Sequence, residues 1–305
     1  SDIPLFFQAW WLDAVAGTEW DVVLIEKDGK IVASMPFIYK KKLFLSLITM
    51  PTLTQHLGPW IDTGTTSGSR RLALEKDLMT ELIALLPKAD YFSANWQYKI
   101  TNWLPFYWAG FKQTTRYTYV MTDITDEESL WNNFQQNVRG DIRKAERRFS
   151  LKVRDDLPLE NFLELNNLVF KRQGLDVPYS SELVQRIDDA CVDRKCRKIL
   201  IAEDDQGRQH AGVYIVWDSH SAYYLMGGGD PELRNSGATS LCIWHAIRSA
   251  ATVTKRFDFE GSMLEPVERF VRGFGATQMP YSSITKTSSK LLRLYFFLKN
   301  FKEGV

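Results

Sequence analysis

The chain has 305 residues, with 38 basic and 37 acidic side chains and a formal net charge of +1. Its content of 45% hydrophobic and 25% charged residues excludes a disordered or fibrous protein. The near-neutral charge gives no long-range attraction to DNA, and the length suits two domains better than a single core.

The three cysteines, Cys191, Cys196 and Cys242, cannot all pair within one chain, so we expect a cytoplasmic protein rather than a secreted disulfide scaffold. No metal site is expected, because Cys191 and Cys196 have no second ligand pair nearby. The N-terminus shows no secretory signal. Residues 43–61 lack charges, but prolines and polar residues interrupt them, which predicts a strand and a loop rather than a transmembrane segment.

The first half of the chain begins with a predicted hairpin. Two apolar runs, residues 22–25 and 31–39, flank Asp28 and Gly29, a pair typical of type I′ turns because both positions need positive φ. Five further elements are predicted after it, namely a strand over 43–50, a helix over 70–86, a strand over 91–96, a short aromatic helix before Gly110, and a strand over 114–120.

The second half repeats this order. Its elements are a hairpin of residues 199–202 and 211–217, a strand over 222–226, a helix over 238–251, a strand over 257–262, a short helix before Gly273, and a strand over 281–285. Six elements in the same order predict two α/β domains (α+β, with mixed sheets), 1–124 and 125–305. A single large α/β sheet is the less favoured alternative.

A basic helix is predicted between the halves, after a capping-box pattern that begins at Thr125. Arg139, Arg143 and Arg147 recur at steps of four, with Lys144 and Arg148 beside them. These cations either form a solvated face or bind phosphates or a carboxylate. Gly140, in the middle of the helix, suggests the close approach of another group.

A glycine-rich segment follows the predicted strand over 222–226. Gly227, Gly228 and Gly229 lead into a loop with Arg234 and Gly237, and a helix begins at Ala238. A strand, a glycine-rich turn and a helix N-terminus together form a site for pyrophosphate, since free N–H groups and the helix dipole favour negative charge. Many glycine-rich loops, however, only turn the chain.

These motifs resemble those of a known family. The hairpin, the third strand, the Arg234-x-x-Gly237 loop, the helix and the strand together resemble the Gcn5-related N-acetyltransferase (GNAT) fold, and two copies resemble the FemAB/FemX-like tandem acyltransferases. The residues that carry the likeness are 139–145, similar to the arginine-rich helix of that family, and 257–263 with Phe270, Arg272, Gly273, Phe274 and Gly275, similar to its C-terminal signature.

The resemblance implies transfer of an acyl or aminoacyl group to an amine or hydroxyl of a cell-wall or polysaccharide precursor. Acyl-CoA or aminoacyl-tRNA would be the cosubstrate, and no cofactor would be tightly bound. The phosphates of an anionic acceptor would contact Arg139, Arg143 and Lys144. The donor site would lie in the second half alone, at Gly227, Gly228, Arg234, Gly237 and Ala238.

Three departures from the family pattern keep two alternatives open. Thr239 stands where the donor loop of the family prefers Gly or Ala, no coiled-coil arm for tRNA is inserted, and residues 51–59 of the first half contain no Arg-x-x-Gly. The alternatives are an acyl-CoA-dependent N-acyltransferase of a small molecule and a catalytically degenerate binding protein of the same fold.

Acyl transfer to an amine needs a proton acceptor and a stabilised leaving group. Glu260 is the candidate acceptor, and Tyr223 or Tyr224 is the candidate donor to the leaving group. Because side chains alternate along a strand, one of these tyrosines points inward, and the sequence leaves undecided which of the two it is. The competing interpretations are a salt-bridged carboxylate for Glu260 and core packing for the tyrosines, and His210 is interpreted as a turn or surface residue.

Overall fold

Both predicted hairpins form in the computed structural model, which describes residues 3–261 and 263–303. Asp28 and Gly29 have φ values of 51° and 73°, so the first hairpin closes through the left-handed turn that this pair predicts. Ser262, the last residue of the predicted strand over 257–262, lies outside the described residues.

The elements of the first half follow the predicted order, with one added helix before the hairpin and one added short strand. They are α1 (Ala9–Ala16), β1 (Trp20–Lys27), β2 (Lys30–Lys42), β3 (Leu45–Thr49), β4 (Trp60–Ile61), α2 (Gly68–Leu85), β5 (Tyr91–Asn95), α3 (Leu104–Trp108) and β6 (Lys112–Met121).

The second half contains helices that the sequence analysis missed, α6 and α7, between a short strand and the hairpin. Its elements are α4 (Glu127–Asn133), α5 (Gln136–Arg147), β7 (Lys152–Arg154), α6 (Leu159–Arg172), α7 (Ser181–Asp193), β8 (Arg197–Glu203), β9 (Gln209–Trp217), β10 (Ala222–Gly229), α8 (Ala238–Ala250), β11 (Phe257–Asp258), α9 (Glu265–Arg272), β12 (Thr277–Thr287) and α10 (Lys290–Glu303). No helix among the described residues is long and apolar enough to cross a bilayer.

The chain forms two units, and the strands within each unit pair in both parallel and antiparallel directions. The first unit consists of residues 1–116 and 280–305. In it β1, β2 and β3 pair antiparallel in sequence order, β3 pairs parallel with β5, and β5 pairs antiparallel with β12. Its core packs α2 and α3 against the strands around the buried rings of Phe92, Trp96 and Phe106.

The second unit consists of residues 117–279. Strands β7 to β10 pair antiparallel in sequence order, β10 pairs parallel with β11, and β11 pairs antiparallel with β6. Its core contains α5, α8 and the buried aromatic side chains Phe134, Phe257 and Phe274.

The last strand of each predicted half pairs with a strand from the other half of the chain. Residues 120 and 121 of β6 pair with β11, and residues 283–287 of β12 pair with β5. The units therefore divide the chain after residues 116 and 279, whereas the sequence analysis divides it after residue 124. Local patterning reveals that a strand forms, but its pairing partner depends on tertiary packing.

The basic helix is two helices, and its predicted capping box is wrong. Asp126, rather than Thr125, caps α4 by accepting from the Ser129 backbone N–H at 3.0 Å. The chain then extends at Phe134 and Gln135 before α5 begins. An apolar stripe is buried across both helices, at Leu130, Phe134, Val138, Ile142 and Ala145.

Candidate functional site

The three glycines that were predicted to form a turn lie inside strand β10. Gly227, Gly228 and Gly229 pair with residues 211–213 of β9. Gly228 packs directly under helix α6, because an added Cβ would lie 2.5 Å from the Asn166 backbone nitrogen. The Asn166 side-chain amide also donates to the Gly227 carbonyl oxygen at 2.7 Å. Close packing of a helix that the sequence analysis missed therefore explains the glycine at 228.

The structure decides between the two tyrosines of β10. Tyr223 is buried, with 2% of its surface exposed, and pairs in register with Asp258 of β11. Tyr224 lies on the opposite face and lines a cavity, which we call the donor pocket. The register of β10 shifts between Tyr224 and Met226, which marks a β-bulge at the wall of this pocket. Burial raises the pKa of the Tyr224 hydroxyl, so it stays protonated at neutral pH.

The donor pocket has a volume of about 270 Å³ and belongs to the second unit. Four of the five predicted donor residues line it, namely Gly227, Gly228, Arg234 and Ala238. Gly237 caps α8 with a φ of 83°, and an added Cβ there would collide with the Asp141 carbonyl of α5. The pocket wall is complete with Tyr224, Gly229, Asp230, Pro231, Thr239, Val169, Arg172 and His210.

The N-terminus of α8 forms one side of the donor pocket. The first turn of α8 contains no acidic residue, and its N-cap residue is a glycine. Ala238 and Thr239 of this turn line the pocket, and the Ala238 backbone N–H donates to Ser236 Oγ at 3.4 Å, a long hydrogen bond. Arg172 and Arg234 add two guanidinium groups, against the single carboxylate of Asp230. Backbone N–H groups at a helix start, a positive dipole end and arginine side chains together favour phosphate groups.

Two residues of the donor pocket were not found from the sequence. Arg172 ends α6, and without that helix no signal places it beside β10. The interpretation of His210 as a surface residue is wrong, because His210 lies in β9 and is buried, with its Nε2 atom 3.1 Å from Asp204 Oδ2. Asp204 also accepts from the Arg208 side chain at 2.8 Å, so the carboxylate orients the imidazole ring that lines the pocket.

Two carboxyl groups lie at the end of β11, next to the strand of the tyrosines. Asp258 is buried and accepts from the Thr118 hydroxyl at 2.5 Å and from the Glu260 backbone N–H at 2.8 Å. Glu260 has a φ of 56°, a strained conformation for a residue with a Cβ. Burial, and then the negative charge of Asp258, raise the pKa of Glu260 well above its usual range. Burial also raises the pKa of Asp258 to about 6.

The predicted acceptor cations do not line the donor pocket, and their environments on α5 differ. The Lys144 ammonium is 2.7 Å from Asp141 Oδ1. The exposed Arg143 guanidinium lies 5.4 Å from the ring centroid of Trp131. Arg139 is half-buried, and no described carboxylate pairs with it. An added Cβ at Gly140 meets no described atom within 4 Å, so the packing of the described residues does not require a glycine there.

A domain family matches the part of the chain that contains this pocket. Residues 132–265 match the acetyltransferase (GNAT) domain. No curated protein sequence matches the chain.

Solved structures share the fold of the chain at low sequence identity. FemX is 15% identical, with a TM-score of 0.68 over 95% of this chain and 93% of FemX. The C-terminal domain of a putative lysylphosphatidylglycerol synthetase from Agrobacterium fabrum is 9% identical, with a TM-score of 0.55 over 92% of this chain and 87% of that domain. A tandem GNAT protein from the clavulanic acid biosynthesis pathway is 10% identical, with a TM-score of 0.52 over 89% and 84%.

These likenesses describe the whole chain at the level of its fold, and the domain match includes every residue that lines the donor pocket. Residues 132–265 thus match a GNAT acetyltransferase domain, and the chain as a whole shares its fold with FemX.

Proposed function

We propose that the chain transfers an acyl group from acyl-CoA, bound in the donor pocket, to an amine or hydroxyl group of an anionic cell-wall or polysaccharide precursor. The observation that carries this proposal is the N-terminus of α8, which has no acidic residue in its first turn and lines one cavity of the second unit together with Arg172 and Arg234. GNAT domains use acyl-CoA as cosubstrate, and the pyrophosphate of CoA matches these donors.

Glu260 is proposed as the proton acceptor. Tyr223 of β10 pairs in parallel register with Asp258 of β11. Glu260 follows Asp258 by two residues and therefore lies beside β10, the strand that contains Tyr224. For an amine acceptor, the nitrogen attacks the thioester carbonyl carbon, a C–N bond forms, and the carboxylate of Glu260 takes the amine proton. A carboxyl group with a raised pKa suits this role, because its proton affinity is closer to neutral pH.

Tyr224 is proposed as the proton donor to the leaving group. When the C–S bond breaks, the thiolate of CoA needs a proton, and the protonated Tyr224 hydroxyl lines the donor pocket. The acid and the base thus come from neighbouring strands, β10 and β11.

The anionic acceptor is proposed to contact Arg139 first. Lys144 is neutralised by Asp141, and Arg143 stacks on Trp131, whereas no described carboxylate pairs with the half-buried Arg139. Wall precursors are proposed because the chain resembles FemX-like proteins, and the phosphates of such precursors suit the planar guanidinium group of an arginine.

A thermal-shift experiment tests the donor. We expect acetyl-CoA or a longer acyl-CoA to raise the Tm of the wild-type protein, and Arg234→Ala to abolish the rise. The matched control is Arg70→Ala, which removes an exposed arginine from the first turn of α2 in the first unit and is expected to keep the rise.

Two outcomes contradict the proposal. If no acyl-CoA shifts the Tm but a coupled assay detects transfer from aminoacyl-tRNA, the donor is wrong. If acyl-CoA binds but no nucleotide-linked wall precursor or polysaccharide unit is acylated, the acceptor class is wrong.

A further inference from the structure

The turn between β2 and β3 exposes two large apolar side chains. Leu43 and Phe44 form this two-residue turn, and 90% and 73% of their surfaces are exposed. Leu43 also has a φ of 57°, in the left-handed region that asparagine and glycine favour at hairpin turns. Neither the backbone nor the packing of the hairpin therefore favours leucine at this position.

Helix α10 of the same unit exposes an apolar stripe. Leu291, Leu294, Tyr295 and Leu298 recur at spacings of three and four, and each has more than half of its surface exposed. The helix packs on the sheet through a different face, where the ring centroid of Phe296 lies 5.5 Å from that of Tyr91.

The turn and the helix are anchored on one residue. The Asp90 side chain accepts from the Ser46 backbone N–H at 2.9 Å, two residues after Phe44. The Asp90 carbonyl oxygen accepts from the Ser288 backbone N–H at 2.8 Å, two residues before α10 begins. The two exposed apolar segments thus start from the same end of the first unit.

Basic residues accompany both segments. Lys41 and Lys42 precede the turn, and Lys290 and Arg293 lie in the first turn of α10. Neither residues 40–46 nor residues 288–299 contain an aspartate or a glutamate. Exposed apolar side chains flanked by lysine and arginine fit a surface that is negatively charged and has an apolar interior below it.

We propose that Leu43, Phe44 and the exposed stripe of α10, together called the tip–helix surface, dock on an anionic lipid bilayer. The apolar side chains enter the boundary between headgroups and acyl chains, while the neighbouring lysines and arginine contact lipid phosphates. This inference goes beyond the acyl transfer proposed above and does not depend on it, because the tip–helix surface belongs to the first unit and the donor pocket to the second.

Vesicle co-sedimentation of the full chain tests the docking. We expect sedimentation with phosphatidylcholine vesicles that contain phosphatidylglycerol, and little with phosphatidylcholine alone. High salt should weaken the binding, because exposed charges are screened. The double variant Leu43→Asn, Phe44→Ser should bind about tenfold more weakly, since two large apolar side chains no longer enter the bilayer.

Controls separate docking from damage to the fold. Leu43→Asn places a residue suited to positive φ in the turn, so the double variant should have a Tm no lower than that of the wild type. Leu72→Ser removes an exposed leucine from α2 and should leave vesicle binding unchanged. The shift in Tm caused by acyl-CoA should persist in the double variant, which keeps this test separate from that of the donor pocket.

Equal binding to neutral and anionic vesicles, or unchanged binding by the double variant, would overturn the proposal. So would a dimer in solution that the double variant dissociates while the wild type binds no vesicles, because the surface would then be an interface between two copies of the chain.

Discussion

The two units end their parallel strand with the same backbone geometry. In the first unit, the residue after β5 donates its backbone N–H to the closing strand, from Trp96 to the Ser282 carbonyl oxygen at 2.8 Å. In the second unit, the residue after β11 does the same, from Phe259 to the Tyr119 carbonyl oxygen at 2.9 Å. The two strand ends can therefore be compared residue by residue.

Their side chains differ in chemistry. Asn95 and Gln97 in the first unit occupy the positions of Asp258 and Glu260 in the second. Amides replace both carboxyl groups, so the first unit cannot accept a proton at this place, whereas the second has two carboxyl groups with raised pKa values. A repeated architecture thus does not imply a repeated site, because the chemistry depends on a few side chains at the strand end.

The cavities of the two units differ in the same way. The donor pocket lies at the N-terminus of α8 and is lined by two arginines. A cavity of about 340 Å³ in the first unit lies at the opposite end of its long helix, beside Ile83 and Leu86, with Lys286 over the Phe111 ring. A helix C-terminus offers carbonyl groups, which do not bind phosphate.

The largest effect is expected when Glu260, at the end of β11, is replaced by the glutamine that the first unit has at the end of β5. Glu260→Gln should lower kcat by about 100- to 1,000-fold, because the proton acceptor is lost. Since the pKa of Glu260 is raised, wild-type activity should increase as the pH rises toward and through neutral pH, and this dependence should disappear in the variant. Steady-state kinetics across pH, with acyl-CoA binding measured in parallel, check this.

The matched control is Glu265→Gln, which removes an exposed carboxylate from α9 and should leave kcat unchanged. A wild-type level of kcat in Glu260→Gln would show that the carboxyl group of the second unit has no catalytic role.

Glycines at the start of the long helices give the next comparison. Gly237→Ala should lower the free energy of unfolding by about 3 kcal/mol, because the methyl group meets the Asp141 carbonyl and φ is positive. Gly68 in the first unit has a φ of 58°, but an added Cβ would meet no described atom within 4 Å. Gly68→Ala should therefore lower the free energy of unfolding by only about 1 kcal/mol. Urea denaturation measures both values. Equal losses would mean that the contact between α5 and the donor loop contributes nothing.

Asp258→Asn should change how stability depends on pH. The pKa of Asp258 is raised to about 6 in the folded protein, so its stabilising contribution is complete below about pH 4 and is lost as the pH rises through about 6. The variant should therefore gain up to about 3 kcal/mol relative to wild type between pH 4 and 7, as measured by urea denaturation at each pH.

An exposed aspartate, Asp123, serves as a control, because its contribution to stability should change with pH in the opposite direction. Hydrogen bonds from Thr125 hold the pKa of Asp123 below its usual range, so its stabilisation is present at neutral pH and is lost on acidification. Asp123→Asn should thus lose stability relative to wild type as the pH rises. The same sign for both variants would contradict the burial of the Asp258 carboxyl.

The smallest effect is expected on α5. Gly140→Ala should raise the free energy of unfolding by about 1 kcal/mol, because alanine favours the helix and the added methyl group meets no described atom. Chemical denaturation checks the stability. If the same variant loses acyl transfer while it gains stability, an acceptor approaches α5 at this glycine, as the sequence analysis suggests.

Local residue patterns predicted both hairpins and, in each half of the chain, the strands and helices that follow the hairpin. The turn at Asp28 and Gly29 and the start of α8 at Ala238 are encoded by neighbours in the sequence. The same patterns predicted Gly227, Gly228, Arg234 and Ala238 as a cluster, and the structure brings all four to one cavity. Short-range backbone preferences determine these features, so no knowledge of the fold is needed.

Tertiary structure decided what the patterns left open. It placed Tyr224 rather than Tyr223 at the pocket, brought Arg172 and His210 beside it, and paired each closing strand in the other unit. These outcomes depend on contacts between segments far apart in the chain. Alternation fixes that two adjacent strand residues face opposite ways, but only the packing of α6 and β10 determines which face becomes the pocket.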